Sequence, residues 1–130
     1  AGEVEKTGTW NKESQRIFRF NTGRKSLKEN YVFDAGLCHG TAGLAQIYGR
    51  LCDQTREELF RETSAFWICR TLEMARFKDG LAGFKACRSL EEYKWDTEAG
   101  LLEGIAGIGL ALMASLNNEK PNWDECLMMV

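Results

Sequence analysis

Several features are scarce or missing in this sequence, and each shortage removes a class of protein. There is no excess of basic charge. The formal net charge is -2, so neither nucleic acid nor an anionic membrane is favoured as a partner. The loose basic group Arg16, Arg19, Arg24, Lys25 and Lys28 reads as a solvated helix face. No apolar run is long enough to cross a bilayer. The nearest approach, Ala99 to Leu116, is broken by Glu103, leaving an uncharged remainder well short of the roughly 20 residues a spanning helix needs. Gly100 and Gly104 give GxxxG spacing, which carries weight only inside a longer apolar segment. A helix buried on most sides is expected there.

The cysteines, Cys38, Cys52, Cys69, Cys87 and Cys126, number five and are irregularly spaced. An odd set with no secretory signal ahead of it suggests free thiols and a reducing, cytoplasmic home rather than a disulfide framework. The chain begins at Ala1 instead of methionine, which reads as an excised segment. Nowhere does the strict apolar–polar alternation of a sheet protein appear. One proline, Pro121, follows the last strong helical pattern, introducing a terminal segment with Trp123, Leu127 and Met128, and His39 is the only histidine.

What remains is helical. The 130 residues suit one domain spanning 1–130, and 44% apolar with 28% charged residues is a globular balance. Thr55-Arg56-Glu57-Glu58 has the pattern of a capping box. Behind it Leu59, Phe60, Thr63, Phe66, Trp67, Thr71 and Met74 fall at three- and four-residue steps. The spacing predicts a helix from about Arg56 to Arg76, ending near Asp79-Gly80. A weaker helix is predicted over Lys12 to Arg24, using Ile17, Phe18 and Phe20.

An internal repeat is the most informative feature. Asp34-Ala-Gly-Leu-Cys-His-Gly-Thr-Ala-Gly43 aligns with Glu98-Ala-Gly-Leu-Leu-Glu-Gly-Ile-Ala-Gly107, identical at six of ten positions at an offset of 64 residues. Gly80-Leu-Ala-Gly-Phe84 is a candidate reduced relative. Glycine in a helix costs about 1 kcal/mol relative to alanine, so its use at the mouths of two apolar helices implies close backbone approach or a sharp turn. The offset suits a repeat of one inner and one outer helix. The capped helix after Thr55 would then be the outer partner of an inner helix over Gly36 to Leu51. The expected fold is all-α, an α/α-toroid of helical-hairpin repeats, with this chain a partial arc of the ring.

Comparing the two copies isolates a chemical difference. The second builds the same glycine scaffold with Leu102-Glu103 where the first has Cys38-His39, so folding does not require the thiol or the imidazole. Adjacent residues on a regular helix point about 100° apart, but a glycine-flanked helix mouth is free to turn both toward one ion. Helix N-termini also favour thiolates, the form that binds metal, and thiolate with imidazole is a common part of a zinc site. The alternatives are core filler and a Cys-His dyad.

The segment Gly36-Leu-Cys-His-Gly-Thr-Ala-Gly43 resembles the Cys-His-Gly motif of the lanthionine synthetase C-like family. Gly100-Leu-Leu-Glu-Gly-Ile-Ala-Gly-Ile-Gly-Leu-Ala-Leu112 resembles that family's C-terminal glycine-rich helix, and Trp123-Asp-Glu-Cys-Leu127 its C-termini. The resemblance covers roughly residues 30 to 130, the C-terminal portion of a family member. It implies a toroid with one zinc ion, held by two cysteines and one histidine, that activates a substrate cysteine thiol. The thiolate adds to dehydroalanine or dehydrobutyrine in the same peptide, forming a thioether ring. The implied partner of the intact parent is therefore a peptide with dehydrated Ser or Thr.

Cys38 and His39 match two of the three zinc ligands. The family's Trp-Cys-Tyr-Gly-type segment is absent, as is a further histidine for its catalytic position. The isolated chain is accordingly expected to bind zinc weakly and to be no competent cyclase. Cys52, Cys69, Cys87 and Cys126 are expected to be structural or incidental thiols. Trp95, Asp96 and Glu98 are expected to cap and charge the second glycine helix. Glu103 is expected either in water at the helix mouth or hydrogen-bonded. The runner-up reading is a metal-free helical repeat module that binds peptides or partner proteins and self-associates through exposed inner helices. A carbohydrate-active toroid is disfavoured, because no convincing pair of carboxylates stands near the glycine motifs.

Overall fold

A computed structural model describes residues 9–117 and 122–127. Four α-helices carry the architecture: α1 (Thr9–Asn21), α2 (Thr41–Thr55), α3 (Glu58–Glu73) and α4 (Ile105–Leu116). A short antiparallel hairpin, β1 (Ala86–Ser89) and β2 (Lys94–Asp96), stands between α3 and α4, and a 3-10 turn (Trp123–Leu127) follows. The fold is an all-α fragment of the expected class, with α2 packed on both α3 and α4.

Helices α2 and α3 pair as the inner–outer reading anticipated. Ala45, Tyr48, Phe60 and Trp67 are buried between them, and the Ser64 hydroxyl donates across the seam to the Ala45 carbonyl at 2.8 Å. At the other end of α3 the hydroxyls of Thr41 and Thr71 meet at 2.8 Å with no exposed surface. A second cluster, Ala35, Leu37, Ala42, Phe84, Ile108 and Ala111, joins the two glycine motifs and extends to Trp123 and Leu127.

The capping box does not form. Helix α2 runs through Thr55, whose hydroxyl donates back to the Leu51 carbonyl at 2.8 Å. Arg56 then takes a left-handed conformation (φ 59°) that ends α2, and Glu57 becomes the N-cap of α3 without a side-chain cap bond. Helix α3 stops at Glu73, before the predicted Arg76, and α1 occupies Thr9–Asn21 rather than Lys12–Arg24. Pro121 and Met128 lie outside the described residues.

The glycine motifs are turns that precede their helices, so the inner helix begins at Thr41 and not at Gly36. The repeat is nonetheless structural. Gly40 and Gly104 cap α2 and α4 with nearly the same backbone, φ/ψ -106°/-173° and -112°/-173°. The Asp34 carbonyl accepts from the Thr41 N–H at 3.1 Å, and the Glu98 carbonyl from the Ile105 N–H at 2.9 Å. A Cβ on Gly43 would collide with the Leu37 carbonyl oxygen, and one on Gly107 with that of Leu101. These glycines answer to close approach of backbones, as the sequence implied.

Gly80 to Phe84 is not a third copy. It is a tight turn closed by a Leu81–Phe84 bridge, with Ala82 and Gly83 at positive φ. Nor is α4 buried on most sides: Gly107, Ile108 and Ala111 are buried, whereas Met113 and Leu116 are exposed. At the chain's far end, buried Asp124 of the 3-10 turn accepts from Gln46 Nε2 and Arg50 Nε of α2, each at 2.6 Å, and is clasped by Arg50 Nη2 as well.

Candidate metal centre

The two glycine turns lean on one another. The Cys38 N–H donates to the Leu102 carbonyl at 2.8 Å. A Cβ on Gly36 would sit 3.3 Å from the Glu103 Cα, and one on Gly107 would sit 3.1 Å from the Leu37 Cβ. Small residues in each copy let the backbones meet, so position 39 of the first copy faces position 103, its counterpart in the second.

Cys38 and His39 both stay out of the core. Cys38 is exposed, and the His39 side chain is 52% exposed. The imidazole stands between two carboxylates: Nδ1 is 3.7 Å from Asp34 Oδ1, and Nε2 is 3.7 Å from Glu103 Oε1. Asp34 is buried and committed to backbone. Its Oδ1 accepts from the Gly36 N–H at 3.0 Å and its Oδ2 from the Cys87 N–H at 2.9 Å. In the second copy Glu98 repeats the first of these bonds, accepting from the Gly100 N–H at 3.0 Å. Glu98 thus braces the turn from the position equivalent to Asp34 rather than capping α4, whose N-cap is Gly104 with no side-chain cap bond.

Arg88 of β1 organises the acidic side of the site. Its Nη1 bonds Glu103 Oε2, its Nη2 reaches Glu98 Oε2 at 2.9 Å, and its Nε lies 3.5 Å from Asp96 Oδ2. The Arg88 hydrogen bond, with the Arg88 charge adding to it, holds the Glu103 carboxyl below the usual carboxylate range. Glu103 is therefore hydrogen-bonded at the helix mouth, uniting the two expectations for it.

Of the remaining cysteines, Cys87 stands beside Asp34, to which its N–H donates at 2.9 Å. Burial, reinforced by the Asp34 carboxylate, pushes the Cys87 thiol up. Cys52 packs in the α2–α3 core, Cys69 is exposed on α3, and the Cys126 thiol donates to the Trp123 carbonyl at 3.0 Å. None of the five forms a disulfide. Among the described residues, no three His, Cys, Asp or Glu side chains converge as a set able to hold a metal.

A thiol and an imidazole, both reached from solvent, are donor types that zinc takes. A groove of about 1140 Å³ lies elsewhere; it is lined by Arg24, Lys28, Tyr31, Arg70 and Trp95 among others. No helix among the described residues is long and apolar enough to cross a membrane.

The repeat alignment already paired Asp34 with Glu98 and His39 with Glu103. It did not reveal that the pairs touch. Arg88 was invisible to it, since it sits in a short hairpin outside both copies.

Compared with known proteins, the sequence matches the family model described as lanthionine synthetase C-like protein over residues 12–128. No curated protein matches it.

Proposed function

The chain belongs to the lanthionine synthetase C-like family, and from that premise we propose that it is part of a zinc-dependent peptide cyclase in which Cys38 and His39 supply two of the three protein ligands. The carrying observation is the duplicated turn. One backbone device is built twice, and only the first copy holds a thiol and an imidazole, both outside the core. Bound zinc would supply the acidity that turns a substrate cysteine into a thiolate, able to add to the β-carbon of dehydroalanine or dehydrobutyrine.

This chain's own residues do the holding. The Cys38 amide is pinned to Leu102, fixing the direction in which the thiol leaves the turn. Asp34 braces Gly36, and the His39 ring lies between the Asp34 and Glu103 carboxylates, 3.7 Å from each. The third ligand and the family's acid–base residues are not supplied by the described residues, so the isolated chain is proposed to bind zinc weakly and not to cyclise peptides.

In the full-length protein, cobalt(II) substitution should give the visible bands of tetrahedral thiolate ligation. Cys38→Ala and His39→Ala should each lower metal affinity more than about tenfold, the loss of a direct ligand costing at least as much as that of an outer partner. Stoichiometric zinc retained by the double variant would rule the assignment out.

A second reading, a metal-free helical module for peptides or partner proteins, draws on the exposed Leu102, Met113 and Leu116 in and before α4. It has the purified 130-residue chain self-associating. A concentration-independent monomer mass in light scattering would count against it.

A further inference from the structure

The His39 ring has two nitrogens and only one can bind a metal, so the other needs a partner. Two carboxylates offer themselves at equal distance, 3.7 Å. Asp34 is already explained without the histidine. Both of its oxygens accept backbone N–H groups, and Glu98 braces the equivalent turn in a copy that has no histidine. Glu103 has no such duty. Arg88 takes its Oε2, which leaves Oε1 turned toward the imidazole.

We infer that Glu103, anchored by Arg88, is the positioning carboxylate for His39, accepting its Nε2–H and leaving Nδ1 to face the metal. The inference rests on the zinc reading above and assigns Glu103 a role in it. The present separation is about 0.7 Å longer than a hydrogen bond, a gap that the partly exposed Glu103 side chain closes by a small rotation. A fixed ring with a negatively charged acceptor on its far nitrogen is a better ligand, because the proton's position is settled and the donor nitrogen is more basic. Arg88 matters through Glu103: by gripping one oxygen it orients the other. The device also explains why the second copy carries an acid where the first carries the histidine. Once the two turns pack face to face, the second copy's side chain at that position is the nearest available brace.

The test uses full-length apoprotein titrated with zinc against a chromophoric chelator, and selective ¹⁵N-histidine labelling of the zinc-loaded form. His39 resonances are identified by their loss in His39→Gln. Zinc affinity is expected to fall about 10- to 100-fold in Glu103→Gln. It is expected to stay within about twofold in Asp96→Asn, because the Asp96 carboxylate is half-exposed and 3.5 Å from Arg88 Nε, a pair that contributes little, and Arg88 keeps its bond to Glu103. In the wild type the spectrum should show Nδ1 metallated and Nε2 carrying a slowly exchanging proton, with faster exchange in Glu103→Gln. Unchanged affinity in Glu103→Gln, an equal loss in Asp96→Asn, or zinc found on Nε2 overturns this role and leaves the zinc reading standing. Zinc binding by the wild type that does not depend on Cys38 overturns both.

Discussion

Replacing Asp124 with alanine is expected to lower the unfolding free energy by about 3–5 kcal/mol, the usual cost of stranding one partner of a buried ion pair. Asp124 has no exposed surface, and the Arg50 guanidinium that faces it is nearly as enclosed. With the carboxylate gone, the largely buried Arg50 guanidinium loses its Asp124 bonds, and Gln46 loses the acceptor for its amide. Truncation also loosens Trp123 and Leu127, which pack on the cluster beneath α4.

Asp124→Asn should fall between wild type and alanine, since it keeps an acceptor and loses the charge. The double replacement Arg50→Met with Asp124→Leu should recover most of the loss. Urea unfolding followed by tryptophan fluorescence measures all three, with Trp67 buried as the reporter. A loss under about 1 kcal/mol in Asp124→Ala would show that the clasp does not hold the 3-10 turn to α2.

The same residue sets a pH dependence. Burial alone would raise the Asp124 carboxyl, but hydrogen bonds from Arg50 and Gln46 outweigh it and bring the carboxyl below its ordinary value. A carboxyl depressed by folding contributes stability above the unfolded-state pKa of about 3.9. That contribution is lost as pH falls through the folded value. Wild type should therefore lose stability below about pH 4 more steeply than Asp124→Asn.

The second large effect is a contrast inside one helix. Gly107→Ala is expected to destabilise by about 3 kcal/mol or more, the upper end of the usual cost of overpacking. Its new methyl would land on the Leu101 carbonyl oxygen, which belongs to backbone and cannot swing aside. Gly109→Ala, two residues on, meets nothing within 4 Å, and should stabilise by about 0.8–1 kcal/mol from helix propensity alone. Thermal melts of the two variants should move in opposite directions. Equal responses would mean that the close approach at Gly107 is not a constraint on the fold.

The sequence disclosed features that depend on local pattern or on duplication. The stripe from Leu59 to Met74 announced α3, and the glycine offset announced two matching turns. It misled where a local signal met a neighbouring element. Thr55 looks like a helix start, but α2 reaches it first and turns its hydroxyl back toward Leu51. The hairpin went unseen because strands of four and three residues are too short to show alternation. Long-range pairings left no trace: Gln46 and Arg50 find Asp124 across more than 70 residues. At the candidate site, Cys38 and His39 were legible because one copy departs from the other. Arg88 was not, because its importance lies in which carboxylates fold around it.

The mutual seating of the two turns has a consequence for how such a protein can change over generations. Residue 36 faces the chain at 102 and 103, and residue 37 faces 107. Neither copy can drift alone: a bulkier residue accepted on one side demands a retreat on the other. The two turns are tethered by their shared surface, and the one without the thiol is kept in shape by the one that has it.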